Sequence, residues 1–346
     1  MDAFVPSKKR VLIIGFGGTI AMIPENGVLR PAKSIDEILA IVPSLGDMAD
    51  VEVRQVINLD STNLSPKHWN QLIDVIVEVY EKYDAIIVTH GTDTMAYTAT
   101  AISFAFGRGL KKPIIFTGSQ LPLVEYGTDA RFNLENSMKV AIEAVDKSVA
   151  EVMIVFDDVV LRANRTIKVS ESKFRAFDSP GFPPIGSITA VGVTFGPEVL
   201  KRDDTIPLVL NRNFSEGVLA VELYPGLQPE LISPALESGR CAALLLKSLG
   251  AGNVPSEEPY SLIPLIRHAS KELKIPVLVS TKFVGGNTLM EIYEPGKLAL
   301  EAGAISTDDL TDVAAQVKCM WALSTWKESN ERFNEIIKKN YIGEKK

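Results

Sequence analysis

The sequence predicts an α/β protein with a larger, doubly wound N-terminal domain and a smaller C-terminal α/β domain. Short apolar runs alternate with segments of helical periodicity in the N-terminal half, and a second such set begins near residue 216. The stretch between them, Gly196–Ser215, contains two prolines and the charged run Lys201–Asp204, a composition typical of a connector. We therefore assign residues 1–196 to the first domain, 197–215 to a linker and 216–346 to the second domain.

Strands are predicted where a run is almost wholly apolar and rich in β-branched or aromatic residues, as in sheets covered on both faces. These runs are Val11–Ile14, Ala85–Val88, Ile114–Phe116, Val152–Phe156, Val218–Leu223, Ala242–Leu246 and Val277–Ser280. Helices are predicted after Ser65-Pro66, over Leu134–Val145, around Ser261–Leu273 and over Thr311–Lys338. Strand–helix alternation predicts parallel sheets with right-handed crossovers. We expect the terminal Gly343–Lys346 to fray.

The composition excludes several classes of protein. A net charge of −7 over 346 residues argues against a nucleic-acid binder, which would need a concentrated basic surface. Two cysteines, Cys241 and Cys319, cannot form a disulfide framework, and three histidines argue against a multi-histidine metal centre. The apolar run Val11–Ile14 is too short for a signal peptide, and no run reaches the roughly 18 apolar residues of a membrane span. We therefore expect a cytoplasmic protein without membrane association.

Five polar or glycine-rich segments accompany the N-terminal strands. They are Gly15–Ala21, Asn58–Thr62, Thr89–Met95, Thr117–Gln120 and the basic stretch Arg162–Lys168. Ligands of open α/β sheets bind beyond the carboxyl ends of the strands, so we expect these segments to form one site. Each segment alone also fits an ordinary turn. The first is not a dinucleotide-binding fingerprint, because Ile20 occupies the position of the third glycine.

The segment Thr89–Met95 carries hydroxyls and a carboxylate at a strand-to-helix turn. Donors at a helix N-terminus favour an anion or a developing oxyanion. Helix capping would explain one such residue but not five consecutive polar ones. We interpret His90 as a structural, hydrogen-bonding residue rather than a catalyst.

Two longer motifs, Gly17–Ala21 and His90–Met95, give the sequence a specific resemblance to a known family. Together with Asp60–Thr62, Thr117–Pro122, Arg162–Lys168, Ala176–Pro180 and Gly250–Asn253, they resemble the bacterial-type L-asparaginases, which include the glutaminase-asparaginases. The resemblance extends from about Arg10 to Tyr341. The Asp60–Thr62 motif and the missing signal peptide resemble the cytoplasmic type I branch.

The resemblance implies a larger flavodoxin-like domain followed by a smaller Rossmann-like domain. It also implies hydrolysis of the side-chain amide of L-asparagine to L-aspartate and ammonia, without a metal or cofactor. Thr19 would be the nucleophile and would form a β-aspartyl ester, while Thr92, Asp93 and Lys168 would form the activating group. A threonine hydroxyl needs a neighbouring base, and a lysine can act as one if burial or charge lowers its pKa. The sequence leaves open which of Thr19 and Thr92 attacks first.

The same resemblance implies how the substrate is held. Asp93 would also bind the α-ammonium group, and Ser61, with Asp60 and Thr62 nearby, would bind the α-carboxylate. Backbone N–H groups near Thr92 and Ser119 would stabilise the oxyanion.

Two further expectations concern the assembly and a loop. Because each site in the family is completed by a neighbouring C-terminal domain, the resemblance implies a homodimer or homotetramer, with Asn253 a candidate for the contribution across that interface. The family also carries a tyrosine in the loop after the nucleophile, where this sequence has Val28. We hypothesise that Tyr126 supplies a hydroxyl instead.

The sequence leaves alternative functions open. The substrate could be L-glutamine or D-asparagine, or the chain could serve a transfer-RNA amidotransferase. The last is disfavoured because that family member has an extra N-terminal domain, whereas the first strand here begins near Arg10. A sensor that binds an amino acid without consuming it, and a nucleotide-binding module, are the remaining alternatives.

Overall fold

The protein forms two compact units in a computed structural model that describes residues 7–18, 20, 22–25, 28–31, 38–328 and 332–346. The N-terminal unit runs to Ser179 and also takes in Pro183–Leu210. The C-terminal unit comprises Pro180–Phe182 and Asn211–Lys346. Among the described residues, no helix combines the length and apolarity needed to cross a bilayer.

The N-terminal unit alternates strands and helices. Its strands are β1 (Arg10–Phe16), β2 (Met22–Glu25), β3 (Val28–Pro31), β4 (Asp50–Ile57), β5 (Ala85–His90), β6 (Ile114–Thr117), β7 (Val152–Phe156), β8 (Val159–Arg162), β9 (Ile167–Lys168), β10 (Phe177–Asp178), β11 (Gly186–Thr189) and β12 (Gly192–Phe195). Its helices are α1 (Ile38–Ile41), α2 (Ser44–Met48), α3 (Pro66–Val79), α4 (Met95–Phe106) and α5 (Ala130–Asp146).

The large sheet of this unit has the strand order β12-β11-β8-β7-β6-β5-β1-β4. The strands β4, β1, β5, β6 and β7 are parallel, with Ile13 of β1 opposite Val53 and Ile87. Their order is that of a flavodoxin-like doubly wound sheet, so the predicted fold class is confirmed. The sequence did not predict β8, β11 and β12, which extend the sheet in antiparallel pairs.

Burial explains why these segments form the centre of the sheet. All six residues of β5 are buried, as are Val11–Phe16 of β1. Helix α4 is buried on nearly every side, since only Tyr97 among its residues is partly exposed. A helix that is apolar all round belongs in the interior, and α4 packs against β6 and β7. The turn between β5 and α4 is therefore held by two fully packed elements.

The C-terminal unit is a smaller parallel α/β sheet in the order β13-β14-β15-β16. Its strands are β13 (Val218–Glu222), β14 (Ala243–Ser248), β15 (Val277–Thr281) and β16 (Ala304–Ser306). Its helices are α6 (Ser233–Glu237), α7 (Ile263–Arg267), a π-helical turn (His268–Glu272), α8 (Glu294–Ala302), α9 (Asp312–Glu328) and α10 (Phe333–Lys338). This agrees with the predicted smaller domain.

The expectation that the C-terminus frays is wrong. Glu344 is fully buried and Lys345 is 5% exposed. The Glu344 carboxylate lies 2.6 Å from the Nζ atom of Lys318, which is itself fully buried in α9. Long-range pairing of opposite charges therefore fixes a segment whose local composition is typical of a loose end.

His268 lies between two glutamates on the surface of the C-terminal unit, 2.6 Å from Glu237 and 2.8 Å from Glu272. The hydrogen bond that the His268 ring donates to Glu237, and then the one that it donates to Glu272, raise the pKa of His268 above its ordinary 6.5. The resulting stabilisation is complete below the unfolded pKa and is lost as pH rises through the higher folded pKa. We predict that His268→Gln lowers the melting temperature more at pH 6 than at pH 9. Equal losses at both pH values would contradict this prediction.

Candidate active site

Four of the five predicted polar segments leave the large sheet at one edge. The fifth, Arg162–Lys168, begins at the opposite edge, because Arg162 ends the antiparallel strand β8 beside Met153, and it reaches the other segments through Lys168. Strands β1, β4, β5 and β6 are parallel neighbours, so the segments after their last residues leave the sheet on the same side. Gly18 shows how closely two of these segments approach, since a Cβ atom there would lie 2.5 Å from the backbone nitrogen of Gly91. Gly18 also has a φ of +98°, a conformation that glycine adopts without strain.

The centre of the described site is the ammonium group of Lys168. Its Nζ atom lies 2.8 Å from Thr92 Oγ1 and 2.6 Å from Asp93 Oδ1. Lys168 belongs to β9, which pairs with β10 through Phe177, so a short ladder fixes its backbone. The structure therefore brings Lys168 together with two residues that are 75 and 76 positions away in sequence.

The three side chains differ in their exposure to solvent. Thr92 is only 7% exposed, whereas the side chain of Asp93 is 57% exposed. The hydrogen bond between Thr92 and Lys168 offers a proton a path between oxygen and nitrogen in a place that is partly shielded from water. Asp93 presents a carboxylate that a ligand can reach. Both residues precede α4, whose N-terminal end carries a partial positive charge.

The segment Asp60–Thr62 reaches the same site through a hydrogen bond in which Thr94 Oγ1 donates to the Ser61 carbonyl, at 2.8 Å. Ser61 is buried, while Asp60 and Thr62 are exposed. Asp60 caps the short 3₁₀ helix Ser61–Asn63, accepting hydrogen bonds from the backbone N–H of Thr62 at 2.8 Å and from its hydroxyl at 2.7 Å. These bonds lower the pKa of Asp60. The Thr62 hydroxyl is thus engaged by Asp60 rather than offered to a ligand.

Ser119 follows β6 and is 1% exposed. Its hydroxyl donates to the Leu121 carbonyl at 2.6 Å, so the side chain serves the turn itself. Within the stretch 118–121, what can face a ligand is therefore the peptide backbone rather than this hydroxyl.

His90 is a structural residue, as predicted. It is fully buried, and burial lowers its pKa to about 4, so it is neutral near pH 7. Its Nδ1 atom is 2.7 Å from the Gly91 carbonyl and its Nε2 atom is 2.9 Å from Thr98 Oγ1. The carbonyl can only accept, which assigns the proton to Nδ1. The ring also stacks on Phe16, with centroids 5.7 Å apart.

The described part of the site does not contain every residue that was predicted for it. Thr19 lies outside the described residues, and the side chain of Val28 does also. Tyr126 is fully exposed. Asn253 belongs to the C-terminal unit, where its backbone pairs with Leu249 and its Oδ1 atom is buried without a hydrogen-bond partner among the described residues. In the part of the chain that is described, no three His, Cys, Asp or Glu side chains form a candidate metal site.

Sequence reasoning missed Asp129 and Asn133, which hold the turn that contains Ser119. The Asp129 carboxylate accepts from the backbone N–H groups of Gln120 and Leu121, and Asn133 donates to the Gly118 carbonyl. The sequence offers one signal for this contact: an aspartate directly before an amphipathic helix and an asparagine four residues later, in the first turn of that helix.

Two family models cover most of the chain. Residues 10–200 match the N-terminal domain of asparaginases, and residues 217–336 match the glutaminase/asparaginase C-terminal domain. The chain belongs to the asparaginase family. It is therefore an asparaginase-family amidohydrolase, as the motifs Gly17–Ala21 and His90–Met95 predicted.

Individual relatives of this asparaginase-family chain carry two different names. It is 32% identical to the L-asparaginase of Thermococcus kodakarensis, over 97% of this chain and 98% of that protein. It is 33% identical to a glutamyl-tRNA(Gln) amidotransferase component of Aeropyrum pernix, over 98% of this chain and 80% of that protein. The crystal structure of L-asparaginase I from Vibrio cholerae matches with a TM-score of 0.85 at 30% identity, over 98% of this chain and 99% of that one.

Proposed function

We propose that the protein hydrolyses the side-chain amide of L-asparagine to L-aspartate and ammonia. The observation that carries this proposal is the Lys168 ammonium, which lies within hydrogen-bond distance of both Thr92 and Asp93 in a chain of the asparaginase family. This arrangement joins a shielded hydroxyl, a group that can exchange protons and an accessible carboxylate. An amino acid with an amide side chain offers an α-ammonium group for the carboxylate and an amide whose nitrogen must gain a proton before it leaves.

In the proposed reaction the hydroxyl oxygen of Thr19 attacks the amide carbon of the substrate. The carbon–nitrogen bond breaks, the nitrogen leaves with an added proton as ammonia, and a β-aspartyl ester remains on Thr19. Water then attacks the ester carbon, which releases aspartate and returns the proton to the threonine oxygen. Thr92, Asp93 and Lys168 pass the protons that these steps require.

The proposed substrate contacts follow the charges of the site. Asp93 binds the α-ammonium group of the substrate, because its carboxylate is negatively charged and exposed enough for a ligand to reach. Ser61 binds the α-carboxylate, and backbone N–H groups near Ser119 and Thr92 stabilise the oxyanion. Asp60 and Thr62 contribute indirectly. The hydrogen bonds that Thr62 donates to Asp60 fix the backbone of Ser61, which lies between them.

We further propose that the protein works as a homodimer or homotetramer in the cytoplasm. The resemblance to the family supports this proposal, and Asn253, which is partly exposed in the C-terminal unit, is the candidate for a contribution across an interface between copies of the chain. Sedimentation of the purified protein, with and without Asn253→Ala, tests this proposal. A monomeric wild type that hydrolyses asparagine would contradict it.

The decisive experiment measures ammonia release from L-asparagine by the wild type and by Thr19→Ala. We expect the variant to lose more than about 10³-fold in kcat, since a covalent nucleophile cannot be bypassed efficiently. The matched control is Thr205→Ala, which removes an exposed hydroxyl that donates to Asp203 at 2.6 Å. A Thr19→Ala variant that retains activity within tenfold of the wild type would overturn the threonine mechanism.

A second candidate is glutamine amide hydrolysis, which the 33% identity to the amidotransferase component favours. One methylene changes the selectivity of an apolar pocket by only about 1–3 kcal/mol, so kcat/KM must be measured with both L-asparagine and L-glutamine. D-Asparagine belongs in the same comparison. A wild type that binds asparagine in isothermal titration but releases no ammonia would instead be a sensor.

A further inference from the structure

Asp129 stands directly before α5 and uses its carboxylate in an unusual way for that position. An aspartate at a helix N-cap ordinarily accepts hydrogen bonds from the first turn of its own helix. In the fully described stretch 118–146, the Asp129 side chain makes no such capping bond. It accepts instead from the N–H groups of Gln120, at 3.0 and 3.1 Å, and of Leu121, at 3.1 Å.

Asn133, one helical turn further on, completes the arrangement. Its Nδ2 atom donates to Asp129 at 3.1 Å and to the Gly118 carbonyl at 2.9 Å. Its Oδ1 atom accepts from the N–H of Asp157 at 2.9 Å, which ties the group to the end of β7. The polar atoms of the Asn133 amide are thus engaged on both sides, so its orientation is fixed.

These two side chains bracket Ser119. Gly118 lies before it and is held by Asn133, whereas Gln120 and Leu121 lie after it and are held by Asp129. Three of the four residues in 118–121 therefore depend on one carboxylate and one amide. Hydrogen bonds to an ionised carboxylate are stronger than neutral ones, and Asp129 is only 8% exposed.

The bracketed turn adjoins the residues of the proposed site. A Cβ atom on Gly118 would lie 2.4 Å from the carbonyl oxygen of His90, two residues before Thr92. The backbone of 118–121 therefore packs directly against the turn that carries Thr92 and Asp93. A displacement of the first turn by an ångström would change the position of its peptide groups relative to those residues.

We infer that Asp129 and Asn133 are positioning residues for amide hydrolysis, acting through the peptide backbone on either side of Ser119. This inference rests on the proposed function, because that function places a backbone N–H group near Ser119 against the oxyanion, while the N–H groups of Gln120 and Leu121 are bound by Asp129. An oxyanion site works only when its donors lie about 2.7–3.1 Å from the developing charge. Asp129 and Asn133 would set the distance between the backbone donors and the oxyanion, because their hydrogen bonds fix the backbone of the turn.

The first test replaces Asp129 by asparagine, which directs an N–H group toward the N–H groups of Gln120 or Asn133. We expect kcat for L-asparagine to fall about 100-fold, as misplacement of reacting groups by 1 Å commonly costs. We expect KM to change less than about threefold, since Asp93 and Ser61 remain in place. The matched control is Asp146→Asn at the other end of α5, whose carboxylate pairs with Lys9 at 2.8 Å. This control should leave kcat unchanged.

The second test measures the turn itself and does not need an activity assay. Amide hydrogen exchange of a peptide covering 118–121 should be faster in Asp129→Asn than in the wild type.

A third test returns to activity. The double variant Asp129→Asn/Asn133→Asp restores a donor–acceptor pair between the two positions and should recover part of the lost kcat. Recovery remains partial because the Gly118 carbonyl still lacks its donor.

The outcomes separate this inference from the proposed function. Unchanged exchange in Asp129→Asn, or faster exchange with an unchanged kcat, would overturn the positioning role. A wild type that hydrolyses neither amide would refute the proposed function itself. In that case faster exchange would leave Asp129 with a purely structural role.

Discussion

Replacing Lys168 with methionine should lower kcat for amide hydrolysis by about 10²–10⁴-fold, the range typical of a lost proton-transfer group. Methionine keeps most of the length of the side chain but cannot accept or donate the proton that passes between Thr92 Oγ1 and Lys168 Nζ, 2.8 Å apart. Asp93 would lose its partner but would remain solvated, because its side chain is 57% exposed. The measurement is steady-state ammonia release at saturating asparagine.

The control for Lys168→Met is Lys173→Met, an exposed lysine five positions later on the same segment. Its carbonyl accepts a hydrogen bond from Gln120 at 3.0 Å, and the substitution leaves that backbone group in place. We expect the free energy of unfolding of Lys173→Met to stay within about 0.5 kcal/mol of the wild type, since its side chain is exposed. Chemical denaturation of Lys168→Met, whose side chain is 18% exposed, shows whether its loss of kcat is accompanied by a loss of stability. A Lys168→Met variant with kcat within tenfold of the wild type would remove Lys168 from the mechanism.

Four of the five parallel strands of the large sheet were predictable because they carry their own signal, whereas β4, in which charged and polar residues alternate with apolar ones, was not predicted. Runs such as Val11–Ile14 and Ala85–Val88 are apolar on both faces, which only a covered parallel strand requires. Once those strands are placed, topology brings their carboxyl ends to one edge. This topology explains why the segment after β4 meets the turn after β5, where Thr94 donates to the Ser61 carbonyl. It does not explain the approach of Lys168, which follows the unpredicted antiparallel strand β8.

The antiparallel strands β8, β11 and β12 were missed because their signal is weak. Each has four residues, and β11 alternates buried and exposed residues over a single short stretch. Four alternating residues do not distinguish a strand from a loop. Such strands are stabilised by the neighbour that they pair with rather than by their own composition.

The role of Asp129 was missed for a different physical reason. Its partners are the backbone N–H groups of Gln120 and Leu121, and every residue type except proline offers such a group. No pattern of side chains therefore indicates the contact. The sequence shows an aspartate before a helix, and helix capping is the ordinary explanation of that position.

Glu344→Gln should destabilise the folded protein by about 3–5 kcal/mol, the usual cost of breaking a buried ion pair. Lys318 is fully buried, and its ammonium lies 2.6 Å from the Glu344 carboxylate. Burial lowers the pKa of Lys318, which shows the cost of desolvating that charge. The neutral amide would still accept from the N–H groups of Tyr341 and Ile342 but would leave the ammonium without its paired carboxylate.

Chemical denaturation of a matched set separates the charge from the shape of this contact. Glu301→Gln, at an exposed position of α8, should change the free energy of unfolding by less than about 0.5 kcal/mol. Lys318→Met/Glu344→Gln removes both charges and should recover most of the stability, because a buried pair can be replaced by uncharged groups at little cost. If the double variant is no more stable than Glu344→Gln, the tail is fixed by packing and backbone hydrogen bonds rather than by the ion pair.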